Sequence, residues 1–417
     1  MTAAIASIVK RDGRILPFDR EKVVVAIYKA TAAIGGHDRR LAEELADEVI
    51  EALQATYSAD LPPTVEDVQD VVERVLIQRG HAKTAKAYIV YRHERAKMRS
   101  RQEKGRVEYI PWKAMWHALD WAVAHGCHTV EQLNRIVADG RLPELVRAAD
   151  ERYEAILDGA AEAVLERRGE LRFIIVAGPS SSGKTTTTEK LRRRLEAEGL
   201  HVVPMTLDNY FFDLELHPRD EFGDYDFETP EALDLNLINE HLAAVDGGRG
   251  VDMPVYDFKS GRRLGRTQRF EPEEGTLVLL DTLHGLYDGL SASVPAERKF
   301  RLYIETISQL KGPDGRYARW ADIRLLRRMI RDQQHRAYDP ERTILHWHYV
   351  RRSELKHIIP YQGSADYQVN SALAYELLFL KRHLFDHLPA FLDKWRDDER
   401  HLDGYIRARR VHDLLAA

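Results

Sequence analysis

The sequence predicts an α/β protein in which a parallel sheet flanked by helices is preceded by a small α-rich domain and a helical linker. Three observations carry this expectation. Short β-branched runs at 173–178 (FIIVAG), 201–207 (HVVPMTL), 276–281 (TLVLLD) and 300–305 (FRLYIE) alternate with helical stretches, as parallel strands joined by crossover helices do. The first run ends on a glycine-rich segment that opens a helix. Before residue 169 the apolar residues keep a helical period almost throughout.

In chain order, IVKRDGRILPF at 8–18 sets Asp12-Gly13 between two apolar runs, the signal for a hairpin with a two-residue turn. Helical stretches follow near 20–34, 40–57, 64–79 and 81–100, the third opening on Thr64 of TVED as a capping box. These make a domain over 1–105. A helical linker is expected over 106–168, where Trp112, Trp116, Leu119 and Trp121 form a stripe that reads as core or domain interface. The α/β domain then occupies 169–395, and a helical tail follows at 396–417.

Composition narrows the function classes. With 417 residues, 44% hydrophobic and 31% charged, the chain reads as a multidomain soluble protein without a membrane-spanning run. Its N-terminus lacks the pattern of a secretory leader, so a cytoplasmic location is expected. One cysteine, Cys127, excludes an internal disulfide, a CxxC pair and a four-cysteine zinc site, and reads as a small buried hydrophobe. A net charge of −5 argues against nucleic acid as a partner.

Chemistry concentrates at Gly178–Thr185. GPSSSGKT satisfies GxxxxGK[ST], follows a strand and opens a helix, the context in which backbone amides and a helix N-terminus cradle phosphates. Gly178, Ser180, Ser181, Ser182, Gly183, Lys184, Thr185 and Thr186 are therefore the expected ATP-binding residues, with Lys184 on the β- and γ-phosphates and Thr185 on Mg2+. Asp208 and Asp281 end two other strands, at the edge where open α/β sheets place ligand-facing groups. Asp208 there could accept the proton of an attacking hydroxyl, and Asp281 could serve Mg2+. A turn or helix cap is the plain alternative for either alone. Residues 321–352 carry eight arginines against four acids, and Arg324, Arg327, Arg328 and Arg331 recur at helical spacing before Arg336. That suits a lid over transferring phosphates, against the alternatives of a solvated face or a nucleic-acid patch.

The ordered set GPSSSGKTT, DNYFFD, YDFETPEALD, MPVYDFKSGRR, LHG and RRMIRDQQHR resembles the uridine kinase and phosphoribulokinase family over about 171–385. The resemblance implies a P-loop kinase fold with ATP and Mg2+. It makes Asp208 the general base, Asp226 the holder of acceptor hydroxyls, Tyr256 a neighbour of the acceptor, and Arg331 and Arg336 parts of the lid. The segment 130–154, VEQLNRIVADGRLPELVRAADERYE, is similar to that of a bacterial branch of uridine kinases. VKRDGR, PFDREKV, TVEDVQDVVE and AKAYIVYRHERAKMR resemble an ATP-cone, the nucleotide-sensing module of ribonucleotide reductases and their repressor. That likeness implies that Lys10, Arg11 and Lys22 hold a regulatory ATP or dATP, with a homo-oligomer expected.

Three positions depart from the family. Gly261 stands where uridine kinases carry a base-reading histidine, Tyr338 where a lid arginine is usual, and Asp281 where glutamate is usual. The expected function is an ATP-dependent kinase for a hydroxyl-bearing small molecule, a nucleoside or sugar-like compound. The alternative is a nucleotide-sensing P-loop ATPase acting through a protein partner. Asp208 and Asp226 weigh against it, because a pure switch has no need of acceptor-binding carboxylates.

Overall fold

A computed structural model describes residues 5–10, 14–32, 34, 36, 38–58, 61–89, 92, 109–218, 228–336, 339–398 and 401–417. The chain divides into two compact units, Met1–Val107 with Leu392–Ile406, and Glu108–Phe391 with Arg407–Ala417.

In the first unit, β1 (Ser7–Val9) and β2 (Ile15–Pro17) pair antiparallel. Val9 lies opposite Ile15 and the Lys10 N–H donates to the Arg14 carbonyl at 2.7 Å, so the connection spans residues 11–13. This corrects the expected two-residue turn; Asp12 and Gly13 themselves lie outside the described residues. Helices α1 (Arg20–Ala32), α2 (Arg39–Gln54) and α3 (Val65–Gln78) follow, with a further helical stretch at 82–89. Thr64 and Asp67 form the capping box at the start of α3. One apolar stripe from each helix, including Val24, Ile27, Val49, Leu53, Val72 and Leu76, makes a closed core.

The second unit opens with α4 (Trp112–Ala124), α5 (Val130–Ala138) and the long α6 (Leu142–Glu166). On α4 the small residues Ala118 and Ala122 face inward, whereas Trp112 and Trp116 are 67% and 62% exposed. The tryptophan stripe is therefore not a core face. Trp121 instead stacks on His125 and receives the Arg152 guanidinium 5.0 Å above its ring.

The sheet contains β3 (Phe173–Ala177), β4 (Val202–Thr206), β7 (Leu277–Asp281), β8 (Lys299–Glu305) and β9 (Tyr367–Asn370) in the order β4-β7-β3-β8-β9, all parallel. Every residue of β3 is buried, which explains why its sequence is continuously apolar rather than alternating. Ile174 and Val176 pack on one side with Leu157, Ala161 and Val164 of α6 and Leu191 and Leu195 of α7 (Lys184–Ala197). Phe173 and Ile175 pack on the other with Ile238, Leu242 and Val245 of α8 (Leu235–Asp246).

Two strand features escaped the sequence pattern. The edge strand β9 is only four residues long, and β5 (Val251–Asp257) with β6 (Arg262–Phe270) forms a separate antiparallel hairpin. Helices α9 (Trp320–Arg336), α10 (Pro340–His357), α11 (Glu376–Leu384), α12 (Leu388–Trp395) and α13 (Leu402–Ala416) complete the elements. No helix among the described residues is long and apolar enough to cross a membrane.

Candidate active site

The site lies along the C-terminal edge of the sheet, the end at which β3, β4 and β7 release the chain into loops. Residues 178–183 leave β3 and turn into α7 at Lys184. Gly178 is required by close approach, since a Cβ there would sit 2.3 Å from the Ile304 carbonyl oxygen on neighbouring β8. Ser181 holds a left-handed φ of 59°, an uncommon conformation for a residue with a side chain. The Ser181 and Ser182 hydroxyls are buried without a hydrogen-bond partner, which fits a loop whose polar atoms are completed by a bound ligand.

Lys184 donates from Nζ to the Gly178 and Pro179 carbonyls at 2.9 and 3.2 Å, so its ammonium lies within the loop. Burial brings its pKa down to about 8; Asp281 opposes that shift, while Arg331 and Arg324 add to it. Thr185 Oγ1 donates to Asp281 Oδ2 at 3.2 Å. Burial raises the Asp281 carboxyl above its ordinary range, against the pull of Lys184 and Thr185. A hydroxyl and a carboxylate at this spacing are hard oxygen donors of the kind Mg2+ takes. Among the described residues no three His, Cys, Asp or Glu side chains converge as a metal cage, so such an ion would draw its remaining ligands from phosphates and water.

Asp208 is exposed in the short 3₁₀ turn Leu207–Tyr210 that leaves β4. Thr206, two residues earlier, is in register with Asp281, which places Asp208 at the same edge as the phosphate loop. The hairpin is locked onto this turn. The Tyr256 N–H donates to Asn209 Oδ1 at 3.2 Å, and Arg263 donates to the Phe211 and Tyr210 carbonyls, each at 2.8 Å. Tyr256 is buried against Phe211 and Phe258, and burial, with Asp213 and Asp257 nearby, raises its phenol above the ordinary value.

Three arginines of the arginine-rich helix are anchored in ion pairs, which corrects the reading of its whole face as a lid. Arg324 is 1% exposed and pairs with Glu354 Oε1 and Oε2 at 2.5 and 3.0 Å and with Glu305 at 3.0 Å. Arg327 is bidentate to Glu376 at 2.6 and 3.0 Å. Arg328 pairs with Asp332 at 2.6 Å and donates to Ser180 Oγ at 2.8 Å. Arg324 and Arg328 thereby brace Ser180 of the phosphate loop, while Arg327 is held by Glu376 and Ser371. Arg331 lies near enough to Lys184 to depress its pKa. The Arg336 side chain, Tyr338 and Asp226 fall outside the described residues.

Sequence reasoning passed over Glu354, Ser353, Ser371 and His284 as individual functional positions. Ser371 Oγ donates to the Ser182 carbonyl at 2.5 Å and so supports the phosphate loop from the end of β9. His284, in the LHG turn after β7, is buried, makes a hydrogen bond to the Glu228 backbone and meets the His357 ring edge-on at 6.1 Å. In the first unit, Lys10 directly follows β1, and Lys22 is 70% exposed, 3.6 Å from Asp19; Arg11 lies outside the described residues.

Comparison with known proteins gives two family matches. The ATP cone domain model matches residues 6–97, and the phosphoribulokinase / uridine kinase family model matches residues 173–375. Uridine kinase of Deinococcus deserti is 32% identical over 196 residues, 46% of this chain and 85% of that protein. Uridine kinase of Chloroflexus aurantiacus is 30% identical over 195 residues, 46% of this chain and 84% of that protein. The solved structure of D-glycerate 3-kinase from Cryptococcus neoformans is 14% identical with a TM-score of 0.28, covering 61% of this chain and 89% of that one, and carries no argument about the acceptor.

Proposed function

The chain belongs to the phosphoribulokinase and uridine kinase family, and from that premise we propose that it transfers the γ-phosphoryl group of ATP to a hydroxyl of a nucleoside or sugar-like small molecule. The observation that carries the reading is the juxtaposition of the Thr185–Asp281 pair, at 3.2 Å, with Asp208 on the neighbouring strand end. Amides of the 178–186 loop bind the phosphates, and Lys184 neutralises charge on the β- and γ-oxygens. Thr185 and Asp281 would hold Mg2+, which would supply charge screening to the phosphates. Asp208 takes the proton of the acceptor hydroxyl as it attacks in line. Tyr256 and Asp226 bound the acceptor, and Arg331 with Arg336 face the transferring group. A nucleotide at Lys10, Arg11 and Lys22, ATP or dATP, regulates the enzyme through the cone.

The test is an ADP-release assay coupled to a screen of nucleosides, sugars and polyols in the presence of Mg2+. Release that rises with one acceptor class supports the kinase and names its substrate. ATP turnover indifferent to every acceptor would favour a regulatory ATPase acting on a protein.

A further inference from the structure

Ser353 and Glu354 are consecutive residues of α10, and each is buried on a hydrogen bond to a different segment of the chain. About 100° apart around the helix axis, their side chains leave α10 in different directions. Ser353 Oγ donates to the Glu228 carbonyl. His284 also bonds the Glu228 backbone, and because its Nδ1 has no partner the bond comes from Nε2. Glu354 Oε1 accepts the Ser180 N–H at 3.2 Å, while the Arg324 that it grips donates to the Ser180 carbonyl at 3.1 Å. One Arg–Glu pair thus holds both backbone polar groups of a phosphate-loop residue, and Arg351 completes the carboxylate.

A buried ion pair of this kind adds little net stability, because desolvation offsets most of its attraction. Its specific effect is geometric. Displacement of Ser180 is resisted through short contacts to Glu354, and α10 carries the same constraint one residue on to Ser353 and Glu228. We propose that Ser353 and Glu354 are positioning residues that couple the phosphate loop to the segment starting at Glu228, so that nucleotide on the loop orders that segment. The inference rests on the reading that 178–186 binds nucleotide.

Hydrogen exchange of the full chain with a non-hydrolysable ATP analogue and Mg2+ tests this without knowledge of the acceptor. In the unsubstituted protein the analogue slows exchange at 229–235 by about fivefold or more, the lower end of ordinary coupling between sites. Ser353→Ala loses that slowing but keeps the slowing at 178–188 and the analogue affinity, and Ser353→Thr, which retains the hydroxyl, restores it. Glu354→Gln weakens both effects. Lys184→Ala shows no slowing at 229–235, which separates the loop from nucleotide bound at the cone.

Retained slowing in Ser353→Ala, or none in an unsubstituted chain that turns over ATP with an acceptor, overturns the coupling and leaves the kinase reading standing. A chain whose loop binds no analogue overturns both. Should Glu354→Gln fail to fold, the two Ser353 variants decide.

Discussion

Thr185 and Asp281 meet at 3.2 Å across the boundary between α7 and β7, the first turn of one facing the last residue of the other. The pair joins the loop proposed to bind phosphate to the strand end that supplies a carboxylate. Asp281→Asn keeps the shape and removes the charge. It should raise the Mg2+ concentration needed for half-maximal turnover by roughly 10–100-fold, the range seen when a group supporting a metal is lost. A Mg2+ titration of ATP turnover measures it, and an unchanged midpoint would make Asp281 a structural partner of Thr185 only.

Asp208 differs from Asp281 in its surroundings, being exposed at the end of β4 instead of packed against the lysine. Asp208→Asn should therefore leave nucleotide affinity intact while cutting acceptor-dependent turnover by roughly 10²–10⁴, the usual contribution of a general base. Equal losses in nucleotide binding and turnover would instead tie Asp208 to the metal.

The phosphate loop was legible because motif and context coincide within 15 residues of chain, strand before and helix after. Its supports were not legible. Ser180 and Glu354 are 174 positions apart, and a glutamate at helical spacing among arginines reads as solvent-facing until Arg324 and the phosphate loop close around it. The same holds for Arg324, whose spacing matched that of Arg331 although only the first is sealed beneath the loop. On α4 the error ran the other way. Apolar period alone does not say which face is inward, and Ala118 and Ala122, not the larger Trp112 and Trp116, meet the core. The strand β9 offered four residues, YQVN, of which half are buried, too short for a period to declare itself.

His284 makes acid stability testable. Burial lowers its pKa from 6.5 to about 3; His357 and Lys184 add to the shift, while the Glu228 backbone and Glu231 oppose it. The folded chain therefore keeps the imidazole neutral while the unfolded chain takes up a proton below pH 6.5, so stability falls as pH drops through that window towards 3. Between pH 7 and pH 5 this group alone should cost about 2 kcal/mol. Urea denaturation of the natural protein and of His284→Asn at both pH values isolates it, because the variant retains an N–H donor but not the titration. A stability difference between the two proteins that is the same at pH 7 and pH 5 would show that His284 does not govern this window.

Gly261 explains a departure from uridine kinases in structural terms. Its φ of +68° suits glycine, its N–H donates to the Asp257 carbonyl at 2.8 Å, and its carbonyl accepts the Leu214 N–H at 2.8 Å. A Cβ added there would lie 3.1 Å from Leu214 Cβ. Gly261→His should therefore destabilise the protein by about 1–3 kcal/mol through backbone strain and yield no new preference for pyrimidine nucleosides. Equilibrium denaturation together with ADP release on uridine reads both outcomes, and a stable variant that gains uridine turnover would refute the argument.

Lys184→Ala separates the two nucleotide sites that the chain is proposed to carry. Among the described residues the Lys184 amine donates to two carbonyls of its own loop, so its removal should leave the melting temperature within a few degrees and abolish ATP turnover. Nucleotide binding that persists in this variant and falls with a substitution in the N-terminal unit comes from outside the loop, and the cone, matched over 6–97 with its own packed core, is the expected place. Titration of ATP and dATP into the full-length variant should show one remaining site, weakened further by Lys22→Ala, whose ammonium is exposed on α1. In the protein with Lys184 intact, filling that site should change acceptor-dependent turnover or oligomeric state, with a coupling of about 1–3 kcal/mol. If Lys184→Ala binds neither nucleotide at millimolar concentration, the cone has no regulatory ligand of this class, and the N-terminal unit acts in assembly alone.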